Sequence, residues 1–211
     1  MPRGRYSLHD PHDGTPLGDE RFQCAPGPSG WRYVSRTTTP GGAPAGSLDL
    51  TLDRLGRPIR LELRAGGWRV RGAALDGVTW VRMAEDTGEQ AQEGNAPARA
   101  FTGSSPAFLV ATARLLRLTG TPGRSTRVRL LGFAPHTLAA RARDETWTLT
   151  GTEAHRPADG DGTLTVEAYR VDDMETGERH AVHLAGDVVL AAPGVELEEL
   201  DTPPTDFRTA E

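Results

Sequence analysis

Apolar and polar residues alternate in many short segments of this chain, and one pair of segments shows the pattern best. A turn at residues 55–58 separates the two segments. Apolar side chains occupy every second position in both of them: Leu48, Leu50, Leu52, Ile59, Leu61 and Leu63. A period of two places such side chains on one face of a β-strand. The pattern therefore predicts a β-hairpin with one apolar face.

Similar segments recur on both sides of this hairpin and predict about a dozen strands. The further predicted strands are 5–9, 20–24, 31–38, 68–71, 78–83, 127–133, 138–143, 145–152, 164–172, 180–184 and 188–191. A glycine-rich turn is expected at 159–162. So many strands in one domain of residues 1–211 must curl. We expect a mainly β (α+β) fold: a single strongly curved antiparallel sheet, a half-barrel or β-roll.

One segment, residues 106–118, has helical periodicity. Ser105 is placed to cap its first turn and Pro106 suits the first helical position. Five residues at helical spacing form one face: Phe108, Leu109, Thr112, Leu115 and Leu116. Gly120 is expected to end the helix. The sequence thus predicts one amphipathic helix packed on the sheet.

Two segments lack any periodicity. Residues 85–100 are polar and predict a mobile loop, which is either a plain connector or a lid over a ligand groove. Residues 201–211 are expected to form a disordered tail.

Composition narrows the class of protein. The net charge of −5 argues against general affinity for nucleic acids, whose phosphates attract basic surfaces. The single cysteine, Cys24, excludes an internal disulfide framework. No secretory signal is visible at the N-terminus, and no apolar run is long enough to span a membrane. We therefore expect a cytoplasmic protein.

No motif in the chain specifies a reaction. Phosphate loops, dinucleotide fingerprints and nucleophile elbows are all missing from the sequence, so no cofactor is expected. His9, Asp10, His12 and Asp13 could together bind a metal, but Pro11 and Gly14 favour an exposed turn. No metal site is therefore expected. Candidate acids and bases for an enzyme are Tyr169, Glu145, His180 and His183.

The aromatic residues lie in predicted strands, and their arrangement permits two interpretations. They form an ordinary core, or several of them line a groove on the concave face of the sheet. The predicted ligand-binding residues are Trp68, Trp80, Trp147, Tyr169, Leu61 and Leu63. Arg69 and Arg71 are candidates for the mouth of the groove, where they would contact a polar head group.

The order of several segments between residues 45 and 200 resembles the bacterial glycolipid-binding family. These segments are 48–63, 68–72, 101–108, 113–118, 134–138, 145–148 and 187–194. The resemblance implies a half-barrel, similar in shape to periplasmic lipoprotein carriers, whose concave side takes acyl chains. Ala192 departs from the family, which has an aromatic residue there, and residues 1–45 have no clear counterpart.

Three functions remain open at this point. The first is a non-enzymatic carrier that binds an apolar small molecule or glycolipid on the concave face. The second is a cofactor-free biosynthetic enzyme, an isomerase, cyclase or hydrolase, that uses the same cavity. The third is a structural or assembly protein with an exposed apolar face. The oligomeric state stays undetermined.

Overall fold

The structure is a computed structural model, and it describes residues 1–27, 30–86, 91–118, 122–155 and 163–205. Within these ranges the chain forms fifteen strands and one helix. The first eight strands are β1 (Arg3–His9), β2 (Pro16–Gly27), β3 (Gly30–Thr38), β4 (Pro44–Asp53), β5 (Pro58–Ala65), β6 (Trp68–Ala74), β7 (Val78–Ala84) and β8 (Gln92–Ala96). The remaining elements are β9 (Ala100–Thr102), α1 (Ala107–Leu116), β10 (Ser125–Phe133), β11 (Ala140–His155), β12 (Leu164–Asp173), β13 (Arg179–Ala185), β14 (Val188–Ala192) and β15 (Val195–Leu200).

All described strands belong to one sheet that follows the chain almost without a crossover. Its order is β8-β7-β6-β5-β4-β3-β2-β1-β15-β14-β13-β12-β11-β10-β9. Consecutive strands pair antiparallel except at β8 and β9, which are the two edges of the sheet. The first strand pairs antiparallel with the last, and β9 runs parallel to its neighbour β10. The predicted fold, one long curved antiparallel sheet with one helix, is confirmed.

This connectivity places the turns alternately at two ends of the sheet. We call the upper end the one with the turns at 10–15, 66–67, 134–139 and 193–194. The lower end then carries the turns at 54–57, 75–77 and 186–187. The segment between β9 and α1 starts at the upper end, because β9 runs upward beside β10.

The sheet rolls up so that its two edges come close together, although the edge strands β8 and β9 do not pair with each other. Gly72 of β6 pairs with Leu61 and Trp80, so it shares their inward face. A Cβ on Gly72 would lie only 2.7 Å from Cζ of Phe101 on β9. A Cβ on Gly66 would likewise meet the carbonyl oxygen of His136. We call this contact of β6–β7 with β9 and the 134–139 loop the seam.

Rows of paired residues fill the inside of the roll. Tyr33, Leu50 and Leu61 lie side by side across three strands, and each is almost fully buried. The alternation of the β4–β5 hairpin is therefore confirmed, except at Ile59. Leu52 pairs with Pro58 and Thr51 with Arg60, so the register shifts at this point. Ile59 is consequently 38% exposed.

The helix lies within the roll rather than on one face of it. Seven of its ten residues are buried, and they include Val110, Ala111 and Ala113 as well as the predicted Phe108, Thr112 and Leu115. The helix ends at Leu116, and Arg117 adopts the left-handed conformation at its C-cap. Pro106 occupies the N-cap position and makes no side-chain capping bond. The predicted stop at Gly120 lies outside the described residues.

Several predicted boundaries were wrong. Residues 92–96 of the predicted 85–100 loop form strand β8, whereas residues 87–90 lie outside the described part. The strands predicted at 138–143 and 145–152 are one strand, β11. In the predicted tail, the amide of Asp201 donates to the carbonyl of Arg3. Residues 206–211 and the expected turn at 159–162 lie outside the described ranges.

Candidate ligand-binding interior

Six of the predicted ligand-binding residues lie on the inward face of the roll. Leu61, Trp147 and Tyr169 are buried, and Leu63, Trp68 and Trp80 are half-buried. The rings of Trp147 and Tyr169 meet edge to face with centroids 5.6 Å apart. The two half-buried tryptophans lie next to the seam, on β6 and β7. The interior is therefore apolar and aromatic, and the binding role of these residues stays a prediction.

The half-buried tryptophans are held by specific contacts. The guanidinium of Arg82 lies 3.3 Å from the centroid of the Trp68 ring. The ring of Trp80 packs on Gly94 of β8, where an added Cβ would overlap the ring. The rings of Trp68 and Trp80 thus cover the β6–β8 edge of the sheet.

The two predicted mouth arginines lie elsewhere. Arg69 and Arg71 alternate with inward-facing Val70, so their side chains are on the outward face of β6. Arg71 donates to Glu62 at 3.2 Å, and Arg69 contacts the sulfur of Met83. This placement contradicts a role at the mouth of the concavity, because adjacent residues of a strand point to opposite faces.

A buried carboxyl lies beside Trp147. The indole Nε1 of Trp147 donates to Glu145 at 2.9 Å, and Glu145 is only 8% exposed. Burial raises the pKa of Glu145, although the bond from Trp147 opposes that shift. His180 pairs with Val171 and so faces inward near this group, whereas His183 pairs with Ala168 on the opposite face. The prediction that these two histidines point to opposite faces of one strand is confirmed.

A second buried carboxyl, Glu20 on β2, was missed by the sequence reasoning. It is 1% exposed and accepts two hydroxyl hydrogen bonds on Oε1, from Tyr33 at 2.8 Å and from Ser105 at 2.7 Å. Burial raises the pKa of Glu20, and the hydroxyls of Ser105, Tyr33 and Ser35 partly offset the increase. Ser105, predicted as a helix cap, accepts the amide of Ala107 on Oγ at 3.4 Å and also ties the start of the helical segment to the sheet.

A signal for Glu20 was present in the sequence. Glu20, Phe22 and Cys24 occupy alternate positions of one strand, so a carboxylate shares the face of two apolar residues. A charged residue in the apolar register of a strand is unusual, because burying a charge is costly unless it is paired.

Closer to the lower end of the roll than Glu20, several polar groups lie around Cys24. The thiol lies 3.4 Å from Oδ2 of Asp187, whose Oδ1 accepts the amide of Thr205 at 2.7 Å. Burial, reinforced by Asp187, raises the pKa of the Cys24 thiol. Burial also lowers the pKa of Arg114 on α1 to about 10, opposed by Asp187.

Aromatic rings connect these polar groups. Tyr6 stacks on Phe22 at 4.7 Å, Phe22 on Tyr33 at 5.5 Å, and Tyr33 lies 5.6 Å from Trp31. Two buried polar atoms beside this ladder, Trp31 Nε1 and Ser35 Oγ, have no hydrogen-bond partner in the part of the chain that the structure describes. Buried polar groups without partners are uncommon in native proteins.

Outside the roll, a depression of about 520 Å³ lies at the upper end, between the 10–15 turn and the β14–β15 hairpin. His9, Asp10 and Glu196 line it together with apolar residues. Asp10 and Asp13 accept amides of their own turn, which agrees with the predicted surface turn. Within the described ranges, no group of three or more acidic, histidine or cysteine side chains is placed to hold a metal ion.

Comparisons with known proteins place the fold. No family model matches the sequence, and no curated protein matches it. A DUF1089 family protein from Pseudomonas aeruginosa superposes with a TM-score of 0.49 at 16% identity, over 83% of this chain and 89% of that chain. A beta-barrel-like protein of the domain of unknown function DUF1849 from Brucella abortus superposes with a TM-score of 0.50 at 14% identity, over 95% of this chain and 98% of that chain.

The likeness to the Brucella protein shows the fold alone, which is beta-barrel-like. The resemblance to a glycolipid-binding family stays a prediction. Among the described residues, no helix is both long and apolar enough to cross a membrane.

Proposed function

We propose that this protein binds an apolar small molecule inside the rolled sheet, where the molecule replaces helix α1. The observation that carries the proposal is the position of the helix. An apolar helix, rather than side chains of the strands alone, fills the inside of the roll. Residues 103–118, which we call the plug, are therefore the part of the core whose removal would leave a chamber.

The walls of that chamber suit an apolar ligand. They consist of almost fully buried side chains from distant strands: Trp31, Leu50, Leu52, Leu130, Trp147 and Leu149. Apolar and aromatic walls with a few polar groups are typical of small-molecule sites.

The plug is anchored mainly at its two ends. Its first turn is tied to the sheet by the bond from Ser105 to Glu20. Near its end, Arg117 donates to the carbonyl of Arg54 at 2.6 Å. Between these points most of α1 is apolar, and its half-buried Arg114 lies near Asp187 and 5.6 Å from the centroid of the Trp31 ring. A ligand that offers equivalent apolar surface could therefore replace the packing of the plug, at the cost of the contacts made by Ser105, Arg114 and Arg117.

The energetics permit such an exchange. Each buried methylene contributes about 0.8 kcal/mol, so an acyl chain of about sixteen carbons gains on the order of 10 kcal/mol before costs. Association offsets about 4–15 kcal/mol of this gain. A ligand with a large apolar surface, such as a long alkyl chain, is hence expected to compete with the plug.

The test is a titration with Nile red, a neutral apolar dye, combined with native mass spectrometry of the protein purified from cells. We expect saturable fluorescence and a co-purified small molecule. Ser105→Ala removes the upper anchor of the plug and should accelerate dye binding. Ser104→Ala is the matched control, because Ser104 is the exposed neighbour of Ser105.

The proposal is wrong if neither the wild-type protein nor Ser105→Ala binds the dye saturably and no adduct is present in the mass spectrum. Equal acceleration by Ser104→Ala would show that the anchor at Ser105 does not control access.

A second candidate, an acid–base enzyme, is favoured by Glu145. Its pKa is raised and His180 lies on the same inward face near it, which are properties of a general acid. Hydrolysis of p-nitrophenyl esters by wild type and Glu145→Gln would test it. Equal rates in the two proteins would remove this candidate for ester hydrolysis.

A further inference from the structure

We infer that the interior selects a ligand with a neutral hydroxyl end group, which takes the place of the Ser105 hydroxyl at Glu20, near Ser35. This inference rests on the proposed function, because it describes the polar end of the same site.

The plug itself already places a hydroxyl at Glu20. Ser105 Oγ lies 2.7 Å from Glu20 Oε1, in an interior where Glu20 is 1% exposed. When the plug leaves, Glu20 loses one of its two hydroxyl donors and keeps Tyr33. A buried carboxyl that loses a donor is strongly disfavoured unless another donor replaces it. The hydroxyl of a ligand supplies that donor.

The buried hydroxyl of Ser35 also favours a ligand with a hydroxyl end group. Its Oγ is buried and lacks a hydrogen-bond partner within the described residues. Ser35 pairs with Phe22, next to Glu20 along β2, and its hydroxyl is near enough to influence the Glu20 carboxyl. A ligand hydroxyl can donate to Glu20 and accept from Ser35 at the same time. A hydrocarbon end group can do neither.

The charges around Glu20 disfavour a ligand with an ionic end group. The groups that face this point are Glu20 on β2, Tyr33 and Ser35 on β3, Tyr6 on β1 and Ser105 on the plug. None of them carries a positive charge, and Tyr6 is buried beside Glu20. A carboxylate end group would meet the ionised form of Glu20 as a like charge in a medium of low dielectric. An ammonium would require a fully buried ion pair, which costs desolvation.

The experiment compares four probes that share one alkyl chain: dodecane, 1-dodecanol, dodecanoate and dodecylamine. Each competes with Nile red at pH 8 on the intact protein. We expect 1-dodecanol to bind best. Ser35→Ala should weaken 1-dodecanol by about 3- to 10-fold and leave dodecane unchanged, because one hydrogen bond is lost. Ser7→Ala, an outward-facing serine of β1 that donates to Glu198, is the matched control.

Glu20→Gln provides a second, charge-specific measurement. Glutamine still accepts a hydroxyl but cannot repel an anion. We therefore expect this variant to increase the affinity for dodecanoate by about 10-fold relative to the affinity for 1-dodecanol. A general loosening of the fold would improve all probes together. Near-UV circular dichroism verifies that each variant keeps the packing of its aromatic residues.

Two results separate the inference from the proposed function. If no probe displaces the dye because the dye itself does not bind, the proposed function is wrong. If the dye binds but all four probes compete equally, or dodecanoate or dodecylamine exceeds 1-dodecanol, only the hydroxyl selectivity is overturned. An unchanged affinity of Ser35→Ala for 1-dodecanol would also overturn it.

Discussion

Arg82 covers the ring of Trp68 at 3.3 Å and at the same time donates from Nε to the carbonyl oxygen of Thr137 at 2.7 Å. Trp68 and Arg82 belong to β6 and β7, whereas Thr137 lies in the loop between β10 and β11. One side chain therefore joins two parts of the sheet that are far apart in strand order. We expect this contact to hold the seam closed.

Arg82→Ala should destabilise the protein by about 1–2 kcal/mol, because it removes a cation–π contact and the hydrogen bonds to Thr137 and Gln92. Urea denaturation measures this change. Arg141→Ala is the control, since Arg141 makes an exposed ion pair with Glu175 that should contribute less than about 1 kcal/mol. Equal losses in both variants would contradict a special role of Arg82 in the seam.

Gly72→Ala should also weaken the seam. The added methyl would lie 2.7 Å from Phe101 Cζ and 2.8 Å from the carbonyl oxygen of Thr79, so the structure must shift. Overpacking of this kind costs about 1–3 kcal/mol. Thermal unfolding measures the loss, and Phe101→Leu in the same chain should restore part of it.

The matched control for this substitution is Gly151→Ala. A Cβ at Gly151 would be 4.0 Å from Ala168, which is an ordinary contact. We expect a change within about 0.5 kcal/mol. A loss at Gly151 as large as that at Gly72 would show that the seam contact is not the cause.

The stability of the protein should depend on the ionisation of Glu20. Burial raises its folded-state pKa above the ordinary value of 4.5, so the folded state holds the proton more tightly than the unfolded state does. The contribution of protonated Glu20 to the free energy of unfolding is complete below about pH 4.5 and is lost as the pH rises through the raised pKa. Glu20→Gln removes this loss, so its stability relative to wild type should increase with pH.

Urea denaturation at pH 3, 4.5, 6 and 8 checks this dependence. Glu62→Gln is a control of opposite sign, because the bond from Arg64 lowers the pKa of Glu62. The stability that Glu62 provides is present above pH 4.5 and is lost as the pH falls through its lowered pKa. Parallel curves for wild type and Glu20→Gln would contradict the assignment of Glu20.

Cys24 reports on opening of the interior, since it is the single cysteine and is 2% exposed. Its raised pKa leaves little thiolate near neutral pH, and thiolate is the reactive form. Ellman's reagent should therefore label the folded protein much more slowly than the urea-unfolded chain. Ser105→Ala should accelerate labelling, whereas Ser104→Ala should not. Rapid labelling of the folded wild type would mean that the interior is open without the loss of this anchor.

The sequence predicted the strands well where one face is apolar. Leu48, Leu50 and Leu52 alternate with polar residues, and their burial follows from the pleat of a strand. The predictions were wrong where no such pattern exists. Strand β8 has two half-buried and three exposed residues, so its hydrogen bonds to β7, and not its side chains, define it.

The candidate site was only partly predictable. Inward tryptophans were recognisable because large aromatic residues recur in alternating segments. Arg69 and Arg71 were misplaced, because an alternating charged residue does not reveal which face is concave. Ser105 could be recognised as a helix-associated serine, but its partner Glu20 is 85 residues away.

By itself, the sequence determined that this chain forms many short antiparallel strands and one amphipathic helix, because the period of the apolar residues depends only on local backbone geometry. The tertiary structure decided that the sheet rolls until β6 meets β9, that the helix lies inside the roll, and that Glu20 binds Ser105 there. These relationships join residues that are distant in the chain, and they arise from the way the whole sheet curves and closes around its core.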